Sequence, residues 1–252
     1  MISNKTLWCY PLVVIAAQLL PLKYSLIIGL IFFTLGLTNR FRLFLLFGFA
    51  IFGHLAWSIT SQQLDSSFSD TPLSYIFSRF GLAVHIILLI IWSYFQPCAN
   101  SYLRFGKMKE TLKFPLVWLG TREYIWRFTL VFCALWLIVT IFFSLNNSNM
   151  TEVLLYGFLF AAINSVIEEV LWRGLILGRI VDYIDEKQGL ILSSIAFGFY
   201  HLSLGFSIWV CLAFATGGFY MGGITIKSKG LFAPIVMHFF VNMAFVSIGI
   251  IF

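Results

Sequence analysis

Long apolar blocks separated by short polar links limit the fold of this sequence more than any other feature. Nine blocks can be marked, at 7–20, 24–37, 43–59, 73–95, 128–143, 152–172, 189–201, 207–226 and 231–252. About 20 consecutive apolar residues form a helix that crosses a bilayer. Only 10% of the 252 residues are charged, against about 25% in soluble domains. A soluble enzyme, a disordered protein and a nucleic-acid-binding domain are thereby excluded, and the sequence predicts an integral membrane protein.

The blocks predict an all-α fold, a polytopic transmembrane helix bundle of about eight or nine spans. The first two blocks are either two short spans or one broken span, because Pro21 and Lys23 lie between them. The segment 60–72 is expected to be a polar loop, 114–127 an interfacial stretch, and 173–187 a mixed-charge link. The sequence assigns no oligomeric state.

The positions of Lys and Arg predict the orientation of the bundle. The links 39–42, 96–127, 173–188 and 227–229 contain basic residues, whereas 60–72, 144–151 and 202–206 contain none. The two kinds of link alternate, as the positive-inside rule requires of successive spans. We therefore expect a multi-pass protein of a prokaryotic cytoplasmic (inner) membrane, with the basic links in the cytoplasm and the C-terminus on the other side. The net charge of +6 then reports orientation, and nucleic acid is not an expected partner.

Two adjacent acids in the sixth block are candidates for function, because ionisable groups inside spans are costly. Glu169 lies four residues before Arg173, which is the spacing of a helical ion pair. We interpret that pair as an interfacial salt bridge that ends the helix. Glu168 is rotated about 100° away and has no cation at helical spacing. It is therefore the candidate proton acceptor.

Two histidines in later blocks also lie in apolar surroundings. His201 follows Phe197 by four residues, and Asn242 follows His238 by four. Taken alone, each is more typical of a hydrogen-bonded packing residue than of a catalyst. A rise of about 1.5 Å per residue nevertheless places these groups and Glu168 at overlapping depths, in the cytoplasmic half to the middle of the membrane. The overlap favours one shared polar site.

This ordered set of motifs resembles the CPBP family, the CAAX-protease and bacteriocin-processing (Abi) intramembrane proteases. The motifs are Glu-Glu-x-x-x-Arg, Phe-x-x-x-His and His-x-x-x-Asn, and the matching residues are Glu168, Glu169, Arg173, Phe197, His201, His238 and Asn242. They lie within about 164–244. We therefore expect two regions: N-terminal transmembrane helices without a recognised motif at 1–150, and a catalytic core at 151–252.

The resemblance implies a glutamic intramembrane endopeptidase that forms no covalent intermediate. By that analogy, Glu168 and His201 activate the attacking water, and His238 and Asn242 form the oxyanion hole. The substrate is expected to be a membrane-anchored protein or peptide in the lipid bilayer, cleaved near the membrane face. Prenylated proteins, bacteriocins and sorting anchors all stay open as substrates, and the prokaryotic topology lowers the expectation of a prenylated one.

Supporting roles are implied for Glu169, Arg173 and Phe197, and no cofactor is expected. A carboxylate and two histidines are also a zinc-ligand set, so zinc stays open as an alternative. The metal-free mechanism is favoured because the sequence contains no His-Glu-x-x-His motif.

A non-enzymatic membrane protein is the alternative function, either a proton-coupled transporter subunit or a self-immunity scaffold, because buried acids and histidines also relay protons. Arg79 is interpreted as an interhelical hydrogen-bond donor, and the alternative is that it lines an access route together with His54 and His85. The GxxxG pair Gly218 and Gly222 indicates close helix packing. All four aspartates fall in predicted loops, which excludes an intramembrane aspartyl pair; they are Asp65, Asp70, Asp182 and Asp185.

Overall fold

The structure, a computed structural model, describes residues 4–38, 42–67, 71–145 and 150–251. It confirms the predicted all-α membrane bundle. The helices are α1 Tyr10–Leu19, α2 Leu22–Gly36, α3 Phe44–Ser67, α4 Pro72–Ser78, α5 Leu82–Phe95, α6 Ile125–Leu145, α7 Met150–Glu169, α8 Gly178–Val181, α9 Glu186–Phe199, α10 Ile208–Ser228 and α11 Phe232–Ser247. Short 3₁₀ segments lie at Asn4–Cys9, Arg79–Gly81 and Tyr200–Leu204, and the π-helix Val170–Leu177 joins α7 to α8.

Five apolar helices in the described part of the chain are long enough to cross a membrane. They are Phe44–Leu64, Pro72–Phe95, Ile125–Leu145, Met150–Val181 and Ile208–Ser228. Shorter apolar helices lie at Lys5–Leu19, Leu22–Gly36 and Phe232–Ser247. The first two blocks are therefore two separate helices. The chain breaks between them because Leu20 is extended before Pro21, as a residue that precedes proline prefers.

Two predicted links are partly helical. Helix α3 continues to Ser67, so most of the expected 60–72 loop is helix and Asp65 belongs to it, whereas Asp70 lies outside the described residues. The motif helix likewise runs on to Val181, well into the expected 173–187 link. The link prediction was wrong because exposed charge was assumed at Arg179, which is in fact buried.

Arg179 lies in the part of the motif helix that extends into the expected link, and its buried charge is satisfied by several contacts. Its Nη2 donates to the Gln96 carbonyl and to Ser93 Oγ, at 2.9 Å each. Its guanidinium also lies 4.2 Å from the centre of the Trp92 ring. These contacts hold the C-terminal end of α5 against the motif helix.

A β-hairpin occupies most of the expected interfacial stretch. Strand β1, Thr111–Leu116, pairs antiparallel with β2, Leu119–Tyr124, and α6 begins directly afterwards at Ile125. The sequence did not indicate the strands, because Pro115 within a run argues against a strand. The turn residue Val117 packs on α10 at Gly223, which has no side chain to displace it.

Close packing of α9 against α10 depends on glycine, as the GxxxG pair predicted. A Cβ on Gly222 would lie 2.6 Å from Leu190 Cδ1, and one on Gly218 would lie 3.0 Å from the Phe197 ring. A Cβ on Gly198 would overlap the backbone of Cys211 and Ala215. The two helices can therefore approach only where these glycines lie.

Gly198→Ala is expected to lower the melting temperature in detergent by about 5 °C, since overpacking a core costs about 1–3 kcal/mol. Helix propensity alone would predict the opposite sign, because alanine is about 1 kcal/mol more favourable than glycine. Gly217→Ala is the matched control, because its Cβ would meet nothing within 4 Å. A melting temperature for Gly198→Ala at or above that of Gly217→Ala would contradict the packing argument.

Candidate active site

A single cavity collects the four residues that the motifs single out as catalytic. It has a volume of about 730 Å³, and Glu168, His201, His238 and Asn242 all line it. They come from α7, the 3₁₀ segment after α9, and α11, and each is buried. The structure thus brings together side chains that are up to 74 positions apart in the sequence, Glu168 and Asn242 being the extremes.

Glu169 connects two of the motifs. Its Oε1 lies 2.9 Å from Arg173 Nη1 and 2.7 Å from His238 Nδ1. The predicted Glu169–Arg173 pair therefore forms, but it lies inside the bundle instead of at an interface, because the helix continues beyond it to Val181. A carboxylate only accepts, so Nδ1 of His238 donates in this contact and the ring is held by Glu169.

Glu168 has a cation partner from another helix, which corrects the expectation of a carboxylate without one. Its Oε1 lies 3.7 Å from Nη1 of Arg79, and its Oε2 lies 3.8 Å from Nε2 of His238. Arg79 is buried in the 3₁₀ segment between α4 and α5 and lines the same cavity. Helical spacing within one block could not reveal this pair, since its members are 89 positions apart.

His201 is oriented by its own helix. Its Nδ1 lies 2.9 Å from the Phe197 carbonyl oxygen, one helical turn earlier. A carbonyl only accepts, so Nδ1 carries the hydrogen and Nε2 of the neutral ring can accept a proton. Gln18 of α1 fixes the same region: its Nε2 donates to the Phe199 carbonyl at 2.9 Å, and its Oε1 accepts from the Ser203 amide at 2.8 Å.

The Phe197 ring separates the charged groups of the site. It lies 4.0 Å from the Arg173 guanidinium, 5.1 Å from the His201 ring and 6.2 Å from the His238 ring. An aromatic face attracts a cation, and ring edges pack against its sides. Phe197 therefore fixes the distance between the two histidines while it covers Arg173.

Sequence reasoning missed two polar residues of the cavity. Asn164 lines it one helical turn before Glu168, and the four-residue spacing is the signal that was overlooked. Arg79 was interpreted as an interhelical hydrogen-bond donor, and the lining of an access route was only the alternative. Its position inside an apolar block, where a charge is costly, pointed to a functional role.

Several polar atoms of the cavity are not satisfied by the protein. Among the residues that the structure describes, Glu168 Oε2, Asn242 Nδ2 and Asn164 Oδ1 are buried without a hydrogen-bond partner. Buried polar groups normally find partners, and exceptions require an explanation. These three atoms are placed to bind a polar group of a ligand.

Glu168 lies farther from the end of its helix than the sequence indicated. The block 152–172 placed it four residues before that end, but the helix ends at Val181. Thirteen residues correspond to about 20 Å at the α-helical rise. The helix end was misplaced because the charged residues after Trp172 were taken for a link. The carboxylate is therefore well inside the apolar helix Met150–Val181.

A π-helix begins directly after the two acids, at Val170, and runs to Leu177. Segments of this kind widen the backbone ring and are frequent at functional sites. Arg173 lies within it and still reaches Glu169. The described residues hold no group of three or more His, Cys, Asp or Glu side chains arranged to bind a metal ion. The metal-free mechanism stays a prediction.

Comparison with known proteins supports the motif assignment. Residues 149–244 match the family model described as "Type II CAAX prenyl endopeptidase Rce1-like". Neither curated proteins nor solved structures gave a match. The matched range includes every residue of the three motifs. The division of the chain into 1–150 and 151–252 stays a prediction. The chain is thus an integral membrane protein with several long apolar helices, and its residues 149–244 are similar to Rce1-like proteases, in agreement with the resemblance to the CPBP family.

Proposed function

We propose that this protein is a glutamic intramembrane endopeptidase that cleaves a membrane-anchored protein or peptide of a prokaryotic cytoplasmic membrane. The observation that carries the proposal is the buried Glu168 carboxylate, which faces the same cavity as two histidines and an amide. Its Oε2 has no hydrogen-bond partner among the described residues. That oxygen is available to a water molecule.

The proposed first step is removal of a proton from water by Glu168, with Nε2 of His201 as the second acceptor. Hydrogen bonding of His201 Nδ1 to the Phe197 carbonyl supports this role, because it leaves Nε2 free to accept. The resulting hydroxide attacks the carbonyl carbon of the scissile peptide bond. The proton then passes from Glu168 to the amide nitrogen, the C–N bond breaks and the amine leaves, while the water oxygen stays in the new carboxylate. Because water is the nucleophile, no covalent bond to the protein forms.

The negative charge that develops on the carbonyl oxygen requires donors. Asn242 Nδ2 has no partner among the described residues and lines the cavity. His238 supplies a second donor at Nε2 when it is doubly protonated, with Nδ1 held by Glu169. Glu169 is in turn held by Arg173. We assign Glu169 and Arg173 to the positioning of His238.

Asn242→Ala is expected to lower kcat by about 10²–10³-fold, the usual loss for one oxyanion donor. Asn242→Asp should be equally slow, because it keeps the size of the side chain but replaces the donor with an acceptor. Both effects are measured as the initial rate of product formation in membranes. Cleavage by either variant at the rate of the unmodified protein would contradict the oxyanion assignment.

Glu169→Gln is expected to reduce kcat by about 10²-fold or more with little change in KM, because His238 loses the carboxylate that orients it. Glu186→Gln is the matched control, because Glu186 forms an exposed pair with Lys229 at 2.7 Å and is not among the residues that line the cavity. Kinetics in membranes with both variants at equal protein levels provide the measurement. A change confined to KM would count against a positioning role for Glu169.

The proposal is tested by comparing membrane proteins of cells that express the unmodified protein or His201→Ala. New peptide termini should appear in membrane-anchored proteins with the unmodified protein and be lost with the variant. Equal termini in both strains, together with a proton-gradient-dependent flux that His201→Ala abolishes, would instead support a proton-coupled transporter.

A further inference from the structure

The cavity extends from the catalytic residues toward one end of the bundle only. At its outer rim lie Tyr75, Leu204, Phe206, Trp209, Ile250 and Ile251. These residues belong to the short helix α4, the segment between α9 and α10, the start of α10, and the segment after α11. All of these helix ends lie beside the links 60–72 and 202–206 or at the end of the chain, where the sequence has no Lys or Arg.

The opposite end of the cavity is filled by apolar side chains. A buried cluster lies between β1, α6, α10 and α11; it consists of Leu112, Ile125, Cys133, Met221, Ile224, Ala233 and Met237. Phe114 of the hairpin adds a cover, because its ring lies 5.8 Å from that of Phe128 and 6.1 Å from that of Tyr220. The hairpin thus bridges α6 and α10 on the side of the catalytic residues that is opposite the rim.

The filled end is also the basic end. The hairpin and its flanking loop carry Arg104, Lys107, Lys109, Lys113 and Arg122, the first turn of α6 carries Arg127, and the last turn of α10 and the residue after that helix carry Lys227 and Lys229. Basic links face the cytoplasm in membrane proteins. The filled end therefore faces the cytoplasm, and the rim of the cavity faces the other side of the membrane.

The wall between the rim and the catalytic residues is aromatic. Phe132 and Trp136 of α6 line it together with Trp209 and Phe214 of α10 and Phe245 of α11. Helix α10 packs mainly against α9, and α6 packs mainly against α11. The cavity thus lies between α6 and α10 on the rim side of the Phe114 cover. An apolar peptide segment fits this wall, whereas a hydrated tail does not.

We infer that the substrate is an apolar, membrane-embedded peptide segment that reaches Glu168 from the non-cytoplasmic half of the bilayer, between α6 and α10. This inference rests on the proposed function and narrows its substrate to a segment whose scissile bond lies near the middle of the membrane. A C-terminal tail presented from the cytoplasm would meet the Phe114 cover and the apolar cluster instead.

The test is chemical labelling, which does not depend on cleavage. The four native cysteines, Cys9, Cys98, Cys133 and Cys211, are first replaced. Two single-cysteine variants are then made in this background: Gly217→Cys in the cavity wall and Lys229→Cys in the basic turn. Gly217 tolerates a side chain, because a Cβ there meets nothing within 4 Å. The probe is a membrane-impermeant sulfonated methanethiosulfonate, added to sealed right-side-out or inside-out vesicles.

Gly217→Cys should react at least tenfold faster in right-side-out vesicles, and Lys229→Cys at least tenfold faster in inside-out vesicles. Failure of Gly217→Cys to react in right-side-out vesicles would overturn the inference, as would reaction of Lys229→Cys from that side. Glu168→Gln in the same background should leave both labelling patterns unchanged. A different labelling pattern would contradict the side of entry alone, and normal cleavage by Glu168→Gln would contradict the protease proposal alone. The two failures are therefore distinguishable.

Discussion

Glu168→Gln should reduce cleavage by about 10²–10⁴-fold, the contribution of a positioned general base. Glutamine keeps the size of the side chain but accepts no proton at the pH of the membrane surface. The reduction should appear in kcat, because the carboxylate acts on water and need not bind the substrate. Product formation in membranes with matched protein levels gives the measurement.

Glu152→Gln is the control for that result. Glu152 lies in the first turn of the same helix and is exposed, so the substitution changes the same group without reaching the cavity. Its rate should equal that of the unmodified protein. If Glu168→Gln and Glu152→Gln cleave equally fast, Glu168 is not the base and the proposed mechanism fails.

Arg79→Met should lower the free energy of unfolding by about 3–5 kcal/mol, because it leaves the buried Glu168 carboxylate without its nearest Arg partner. The two side chains are 3.7 Å apart and almost completely buried. Unfolding in detergent, followed by thermal or chemical denaturation, measures the loss. Cleavage should fall as well, because the carboxylate would no longer be held at the cavity wall.

The double variant Arg79→Met with Glu168→Gln separates these two effects. It removes both charges, so its stability should recover much of what Arg79→Met lost, while cleavage stays absent. Strictly additive losses of stability would mean that the two residues do not interact. Cleavage by the double variant would contradict the role of Glu168 independently of any change in stability.

The sequence predicted the helical architecture and the convergence of Glu168, His201, His238 and Asn242 on one cavity, because both depend on short-range regularities. Apolar block length predicts a transmembrane helix from local composition alone. Four-residue spacing likewise predicts that Glu169 meets Arg173 and that His238 lies on the same face as Asn242. Overlapping depths, calculated from the rise per residue, then suggested that these faces share one site.

What the sequence could not supply were contacts between distant segments. Arg79 and Gln18 lie in the first half of the chain, 89 and 183 positions from Glu168 and His201, the site residues that they support. Helix ends were also misplaced where charge is buried, as at Arg179, since a charged residue was taken to mark a link. The hairpin was missed because Pro115 is unusual within a strand.

Water enriched in ¹⁸O tests the central claim most directly, because hydrolysis places one water oxygen in the new carboxyl terminus. Membranes with the unmodified protein or with Glu168→Gln would be incubated in this water, and the carboxyl-terminal peptides then analysed by mass spectrometry in ordinary water. The mechanism predicts ¹⁸O-labelled termini within membrane-embedded segments for the unmodified protein and none of these for Glu168→Gln. The same labelled termini at the same rate in both samples would contradict it.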